Sequence, residues 1–529
     1  MDAGSPHGDS EGKRQEETVG GIPTWGDKLV QDVLRTLLEP YYESRFSDHS
    51  HGFRPRKGCH SALREVKRTW KGTVWFIEGD IKGCFDNIDH SVLLDIIRRD
   101  IHDGRLTRLI EDLLKAGYME EWRYYDTLSG TPQGGIISPL LANVYLNELD
   151  CFVENTLIPA YTKGAKRRNN PEYNRLSLAI WRARKRDDLQ NVERLKRERR
   201  LQPVGEPFDP DYRRLRFVRY ADDFLLGFTG PKKEAEDIRE QLGEFLRLQL
   251  KLSLSMEKTL ITHAVDEKAK FLGYEVKVTR CNSRVTNGRR TTNGNITLLM
   301  PREVVRKIRR QFSSKGKVIH RADLLQDTDY TVVQKYQSVL RGLYNYYCMA
   351  TNVGRSNRMN RVLWILQVSL AKTLAVKHQC SVSQIHKKYR ANIDGHKVLR
   401  VVIERLDKKP LVAIFGGIPM VRKPDGLGVV DFRMKAAWFS QASDRSEVVQ
   451  RLLAEKCELC GRDSPLQGHH IRKLADISRP GRRPRTKAEK IMAARRRKSL
   501  FVCDECHQSI HAGKYDGSAL KDALESRVQ

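Results

Sequence analysis

The chain has 529 residues, 39% of them hydrophobic, with 96 Lys and Arg against 66 Asp and Glu, a formal net charge of +30 and a pI of about 9.8. That length implies roughly three or four domains at ~150 residues each, and so large a cationic excess points to a polyanionic partner, nucleic acid first. No apolar run is long enough to span a membrane and no secretory signal opens the chain, which argues against membrane and secreted classes.

Residues 1–20 are rich in Gly, Ser, Glu and Asp and read as disordered. Leu29, Val33, Leu34, Leu37 and Leu38 give residues 27–46 a helical period. His51-Gly52-Phe53-Arg54-Pro55 reads as a loop before a short helix. The β-rich run Val74 to Asp80 ends on a carboxylate, with a helix starting near Ser91. Phe85, five residues past Asp80, either packs in the core or closes a nucleotide pocket against a ribose 2′-hydroxyl. Gly130 to Gly135 form a glycine-rich turn that opens a helix at Ser138, and backbone amides at a helix start suit phosphates. Residues 163–200 are strongly basic, with interspersed Asp and Glu. They read either as a solvated helix or as an RNA-backbone contact.

Phe217 to Gly227 places apolar flanks on either side of Tyr220-Ala221-Asp222-Asp223, two strands and the turn between them. Turns favour Asp for local reasons. A hairpin tip that presents carboxylates is also what a two-metal phosphoryl-transfer site requires. A helix follows at 232–250, Phe271-Leu272-Gly273-Tyr274 reads as a strand, and residues 280–295 read as a polar loop. Residues 301–378 read as helices. One carries Tyr336, Leu340, Leu343, Tyr344 and Tyr347, another Val362, Leu363, Ile365, Leu366 and Leu370. Bases and aromatics interleave there, as suits RNA or an amphipathic bundle with a basic outer face. Short β-rich runs fill 400–432, and a separate module begins near 450.

Six of the ten cysteines are scattered; the other four form the pairs Cys457/Cys460 and Cys503/Cys506. Two such knuckles are a strong zinc signal and fit a reducing compartment better than a disulfide framework. His469 and His470 lie between them, and His507 and His511 share a helix face at i, i+4.

Together these motifs resemble the group II intron-encoded proteins of bacteria and organelles, reverse transcriptase/maturases with an HNH endonuclease domain. The match runs through His51-Gly52-Phe53-Arg54-Pro55, Gly79-Asp80-Ile81-Lys82-Gly83-Cys84-Phe85-Asp86, the stretch Thr131 to Asn143, Tyr220-Ala221-Asp222-Asp223, Lys258-Thr259 and Phe271 to Tyr274. The resemblance implies an α+β chain. Fingers and palm of a right-hand polymerase would occupy 21–295 and a helical thumb/maturase domain 296–400. A linker or DNA-binding region would follow at 401–450, then a zinc-stabilised ββα-metal HNH module at 451–529.

It also implies site roles. Asp80 and Asp222 would most directly hold Mg2+, with Asp223 in support. Phe85 would be the gate against ribonucleotides, Gln133 would pack at the incoming nucleotide, and Lys258 would help position primer and nucleotide. Cys457, Cys460, Cys503 and Cys506 would hold structural Zn2+. His469, His507 and His511 would bind the HNH metal, for which Mg2+ is a candidate, and His470 would be the base that activates water. His507 takes a place often held by Asn. The basic run Arg479 to Arg497 would meet DNA phosphates.

The implied partners are group II intron RNA, target DNA and dNTPs, and the implied location is a bacterial cytoplasm or an organellar matrix. In the family a basic fingers segment precedes the element seen here at Gly21-Ile22-Pro23, where residues 1–20 carry only Lys13 and Arg14 as basic side chains. Three expectations follow: a weak polymerase by itself, a separate polypeptide supplying the N-terminal fingers, or a misplaced start codon. The alternative function is an RNA-binding splicing maturase without effective polymerase activity.

Overall fold

A computed structural model of the chain describes residues 25–116, 118–120, 123–125, 135–206, 209–255, 259–281, 285–286, 289–290, 293–354, 358–405, 408–427, 456–462, 466–470 and 499–512. For 118–120, 123–125, 285–286, 289–290, 408 and 470 it describes the backbone alone. The expectation of disorder for 1–20 therefore falls outside the described residues. The chain divides into two compact units, Met1–Leu298 and Leu299–Gln529.

The first unit mixes helices and strands. In order it holds α1 (Trp25–Glu43), β1 (Ser50–His51), α2 (Cys59–Thr69), β2 (Trp75–Asp80), α3 (His90–Asp100), α4 (Gly104–Lys115), a hairpin of β3 (Tyr118–Glu120) and β4 (Arg123–Tyr125), and α5 (Ser138–Phe152). A π-helical turn (Val153–Leu157) leads to the short α6 (Ile158–Ala160), then α7 (Pro171–Lys185) and α8 (Leu189–Leu201). Next come β5 (Arg214–Tyr220), β6 (Asp223–Thr229), α9 (Lys232–Gln249), β7 (Ile261–His263), β8 (Ala269–Phe271), β9 (Tyr274–Thr279), β10 (Val285–Thr286), β11 (Arg289–Arg290) and β12 (Asn295–Leu299).

The main sheet has the order β1-β5-β6-β2-β7. Only β1 pairs in parallel, with β5; the other pairings are antiparallel. Helices α3, α5 and α9 bury their apolar stripes against it, through Leu93 and Ile97, Leu141, Tyr145 and Leu149, and Ile238, Leu242 and Leu246. α7 and α8 instead pack on each other around their own cluster, Leu176, Ile180, Ala183, Val192 and Leu195.

Two sequence expectations change here. Phe271 to Tyr274 is not a strand: Phe271 pairs with Tyr274 across a two-residue turn in which Leu272 and Gly273 both have positive φ (48° and 67°), the primed geometry that matches strand twist. Nor is 280–295 all loop, since β10 and β11 pair antiparallel within it.

The second unit opens with α10 (Arg302–Gln311), a small hairpin of β13 (Ser313–Ser314) and β14 (Lys317–Val318), then α11 (Asp329–Tyr347), α12 (Arg358–His378) and α13 (Val382–Tyr389). A meander of β15 (Arg390–Ile393), β16 (His396–Arg405) and β17 (Lys408–Phe415) follows. Tyr336, Leu340 and Tyr344 of α11 are buried, as are Val362, Leu366 and Leu370 of α12. Asp329 is buried among Lys377 (2.8 Å), His378 Nε2 (2.8 Å) and the Tyr389 hydroxyl, which donates to it at 2.6 Å. These donors hold its carboxyl far below the usual range against the opposing effect of burial. The boundary expected at 400 falls inside β16, so the meander runs straight through it. Last come β18 (Leu466–His470), β19 (Ser499–Cys503) and α14 (Asp504–His511).

One ion pair ties the first unit together. Arg219 on β5 and Asp150 on α5 are both fully buried, with Arg219 Nε and Nη2 donating to the two Asp150 oxygens at 2.7 and 2.6 Å. Removing one partner of such a pair strands a buried charge. Asp150→Ala should therefore destabilise the unit by about 3–5 kcal/mol in denaturant unfolding, and Asp150→Ala with Arg219→Met should recover much of the loss. A single substitution costing under ~1 kcal/mol would contradict the assignment.

Candidate functional site

Asp222 occupies the turn between β5 and β6, with Ala221 at φ 53° and Tyr220 paired to Asp223 across it. Asp223 is in turn the antiparallel partner of Asp80, the last residue of β2. Directly opposed residues of such a pair put their side chains on one face, so Asp80 and Asp223 share a face at one sheet end, and Asp222 stands in the turn next to them. Burial first, then the charges of Asp222, Asp86 and Asp80 against the opposing Arg219, push the neighbouring Cys84 thiol up to about 12. Gly79 is required beside them, since a Cβ there would stand 2.1 Å from the Phe224 ring.

The turn is held from behind. Arg219 Nη1 donates to the Ala221 carbonyl (2.8 Å) and to Asn143 Oδ1 (3.2 Å), and Nη2 donates to Ser50 Oγ (2.7 Å). The Ala221 N–H donates to the His51 carbonyl at 3.0 Å, and Asn143 Nδ2 donates to the Gly52 carbonyl at 3.0 Å. The His51–Pro55 loop is itself fixed by Arg54, buried and donating to Glu43 at 3.0 and 3.1 Å and to the carbonyls of Ser47 and Ser50. Glu65 accepts from His49 and His51 (2.5 and 3.0 Å). Burial opposes its ionisation, but these two bonds hold it down to about 2.

Phe85 is half-buried, and the exposed Phe53 meets its ring edge-on at 6.3 Å between centroids. Phe53 adopts φ 55°, a strained value for an aromatic residue. Gln133 and Lys258 lie outside the described residues. The chain on either side of Lys258 flanks Asp80: Ser255 N–H donates to the Asp80 carbonyl at 2.9 Å, and the Leu260 carbonyl accepts from Glu78 N–H at 2.9 Å.

In the C-terminal module β18 and β19 pair antiparallel and α14 follows directly. The Cys457–Cys460 knuckle docks on β19 through Glu458, whose N–H donates to the Phe501 carbonyl (2.9 Å) and whose carboxylate accepts from Phe501 N–H (2.8 Å). Donor atoms of Cys457, Cys460, Cys503 and Cys506 all lie within 4.8 Å of one another, and Cys460 Sγ stands 3.7 Å from Cys503 Sγ. Tetrahedral zinc with bonds of ~2.3 Å sets sulfurs ~3.8 Å apart, so these residues fit the ion.

A second group, His469, His507 and His511, also falls within 4.8 Å, with the Nε2 atoms of His507 and His511 3.2 Å apart. Bonds of ~2.0–2.1 Å to one cation give that nitrogen spacing. His470 continues β18 opposite Ser499, and its side chain is outside the described residues, as is the run Arg479 to Arg497. Asp80, Asp222 and Asp223 are not among the groups of described residues that converge within 4.8 Å. Two ions ~3.5–4 Å apart spread their ligands more widely than one does, and oxygen donors are what Mg2+ prefers.

Sequence reasoning missed Arg219, Asp150, Ser50 and Asn143 as the clamp on the turn. The only signal for Asn143 was its place in the quoted motif; Asp150 and Arg219 carried none.

Comparison with known proteins agrees with this layout. Residues 17–169 match the family model for reverse transcriptase (RNA-dependent DNA polymerase), 298–410 that for type II intron maturase, and 457–507 that for the AI2M/AI1M-like HNH endonuclease. The chain is 38% identical over 514 residues to the group II intron-encoded protein LtrA of Lactococcus lactis subsp. cremoris, covering 93% of this chain and 82% of that protein. The chain belongs to the group II intron-encoded proteins. It is an RNA-directed DNA polymerase with maturase and HNH endonuclease domains. The putative COX1/OXI3 intron 1 protein of Saccharomyces cerevisiae is 30% identical over 521 residues, 92% of this chain and 60% of that one. Among the described residues no helix is long and apolar enough to cross a membrane.

For the group II intron-encoded protein described here, Cys503→Ser should lower bound zinc and loosen the C-terminal module, because zinc binding contributes to folding. Metal analysis and thermal melting of the full chain check this; unchanged zinc content with an unchanged melt would remove the structural-zinc assignment.

Proposed function

We propose that this group II intron-encoded protein binds its intron RNA, assists splicing, nicks target DNA with the HNH module and copies the RNA from the cut 3′ end. The supporting observation is the gathering of Asp80, Asp222 and Asp223 at one sheet end under the Arg219 clamp. In this reading Asp80 and Asp222 hold Mg2+ with Asp223 in support. Bound there, the ions supply Lewis-acid stabilisation of phosphoryl transfer. The primer 3′-oxygen attacks the α-phosphorus of a dNTP, the bond to pyrophosphate breaks, and pyrophosphate leaves. In this reading Phe85, which the Phe53 ring meets edge-on, is the gate against ribonucleotides, Gln133 packs at the incoming nucleotide, and Lys258 positions primer and nucleotide.

In the HNH module His470 takes the proton of the attacking water. His469, His507 and His511 would hold the hydrolytic cation, Mg2+ being one candidate, and the four cysteines Zn2+. The right-hand arrangement, with residues 296–400 as thumb and maturase domain, belongs to the same proposal. Group II intron RNA, target DNA and dNTPs are the partners.

Asp222→Ala should lower primer extension roughly 10³-fold, the loss of several kcal/mol of transition-state stabilisation, while RNA affinity stays near wild type. Extension at a wild-type rate would remove the palm assignment. His470→Ala should abolish nicking of target DNA and spare extension; a variant that still nicks would show that another residue is the base.

A further inference from the structure

α7 and α8 form an appendage inserted between α6 and β5. It is closed at its base by the bridge Lys163–Arg213, by Asn170 N–H on the Val204 carbonyl (2.9 Å) and by Arg168 N–H on Asp209 (2.7 Å). Its apolar cluster is separate from that of the main sheet, so packing the palm does not explain its outer surface. Residues 171–201 carry ten Lys and Arg against five Asp and Glu.

Along α7, Asn174, Leu178, Trp181 and Lys185 recur at i, i+4, i+7 and i+11, with Arg182 alongside, and such residues line one face of a helix. Leu178 is 49% exposed and Trp181 59%. The Lys185 ammonium lies 5.6 Å from the Trp181 ring centre. Arg182 and Lys185 have no carboxylate partner among the described residues, whereas Arg175, one turn earlier, is paired with Glu172 at 2.6 Å.

We infer that this face of α7 docks RNA, with Trp181 stacking on an unpaired base and Arg182 and Lys185 taking the flanking phosphates. Charge decides between occupants. A hydrophobic protein partner would be served by Leu178 and Trp181 alone and would have to desolvate the two unpaired cations. A strand of RNA supplies a π-face for the ring and an anion for each cation at the spacing of one nucleotide. The face lies on a helix pair whose apolar cluster is separate from that of the main sheet, so, resting on the intron-binding function proposed above, it governs how the intron RNA is held and leaves polymerisation alone.

The test uses the full chain and the transcript of the intron that encodes it. Trp181→Ala should weaken binding about tenfold, the effect of one lost base–aromatic stack, and Trp181→Phe should restore most of it. Arg182→Ala with Lys185→Ala should lower the slope of log affinity against log salt by about 1.4, two phosphates at ~0.7 each on a single strand. Each variant should extend an oligo(dT) primer on poly(rA) at the wild-type rate. RNA carrying 4-thiouridine should crosslink within Pro171–Lys185 in the wild-type chain and not in Trp181→Ala.

Wild-type affinity and salt slope in both sets of variants, or no crosslink to α7, overturns the inference while leaving the intron-binding reading intact. A wild-type chain that fails to bind the transcript overturns both. A Trp181→Ala chain with unchanged RNA affinity and an altered sedimentation profile assigns the face to protein contact instead.

Discussion

The buried Arg219–Asp150 pair is the constraint on which the polymerase end of the molecule depends. A guanidinium has five N–H donors, and here all five are used: two on Asp150 and one each on Asn143, Ser50 and the Ala221 carbonyl. Taking both charges out of water costs several kcal/mol per ion, so the pair is weak evidence for added stability. What it supplies is geometry. Arg219 stands three residues before Asp222, and its planar fork joins α5, β1 and the Ala221–Asp222 turn in one arrangement. A hydrophobic replacement of equal volume would fill the space without telling the turn where to stand.

The same logic explains the positive φ values around the site. Ala221, Phe53 and Arg56 all have left-handed backbone (53°, 55° and 61°), each unfavourable for a residue with a side chain. Such conformations persist where the surroundings over-determine them. The Ala221 amide is tied to His51, and the loop that carries Phe53 is tied to Glu43, Asn143 and Arg219. The strain sits beside the carboxylates and beside Phe85, where position matters most.

Local chemistry was legible in the sequence; long-range pairing was not. Asp80 at a strand end, the turn at Asp222, and the two C-x-x-C knuckles are each written within a few residues, so their spacing carried the reading. Arg219 and Asp150 lie 69 positions apart, and neither stands in a pattern that marks it as buried. Phe271 and Tyr274 look like strand residues because they are strand residues; the intervening Leu272, at φ 48°, hid the turn, since Leu rarely adopts that backbone. The 163–200 segment read either as a solvated helix or as an RNA-backbone contact because charges dominate it. Its apolar residues are few, but they meet across two helices to make a small core. The site roles of Gln133, Lys258 and His470 rest on the family motif, while the three clustered histidines and four cysteines have a geometry of their own.

An appendage inserted just before the β5–β6 hairpin raises a mechanical problem that its base resolves. β5 leads directly into the turn that carries Asp222, so any movement fed into its first residues would reach the carboxylates. The entropy of closing an inserted loop rises only slowly with its length, which makes a long insertion tolerable provided its two ends are held together. Here they are held by the Lys163–Arg213 bridge, by the Asn169–Gly205 bridge, and by Arg168, whose side chain also pairs with Asp211. Arg213, immediately before β5, is itself fixed by Glu234 on α9 at 2.8 Å. Forces acting on α7 and α8 are therefore met at Val204, Gly205, Asp209, Asp211 and Arg213 before they reach Arg214. An RNA-holding arm mounted in this way can grip its substrate without disturbing the register that sets Asp80 against Asp223.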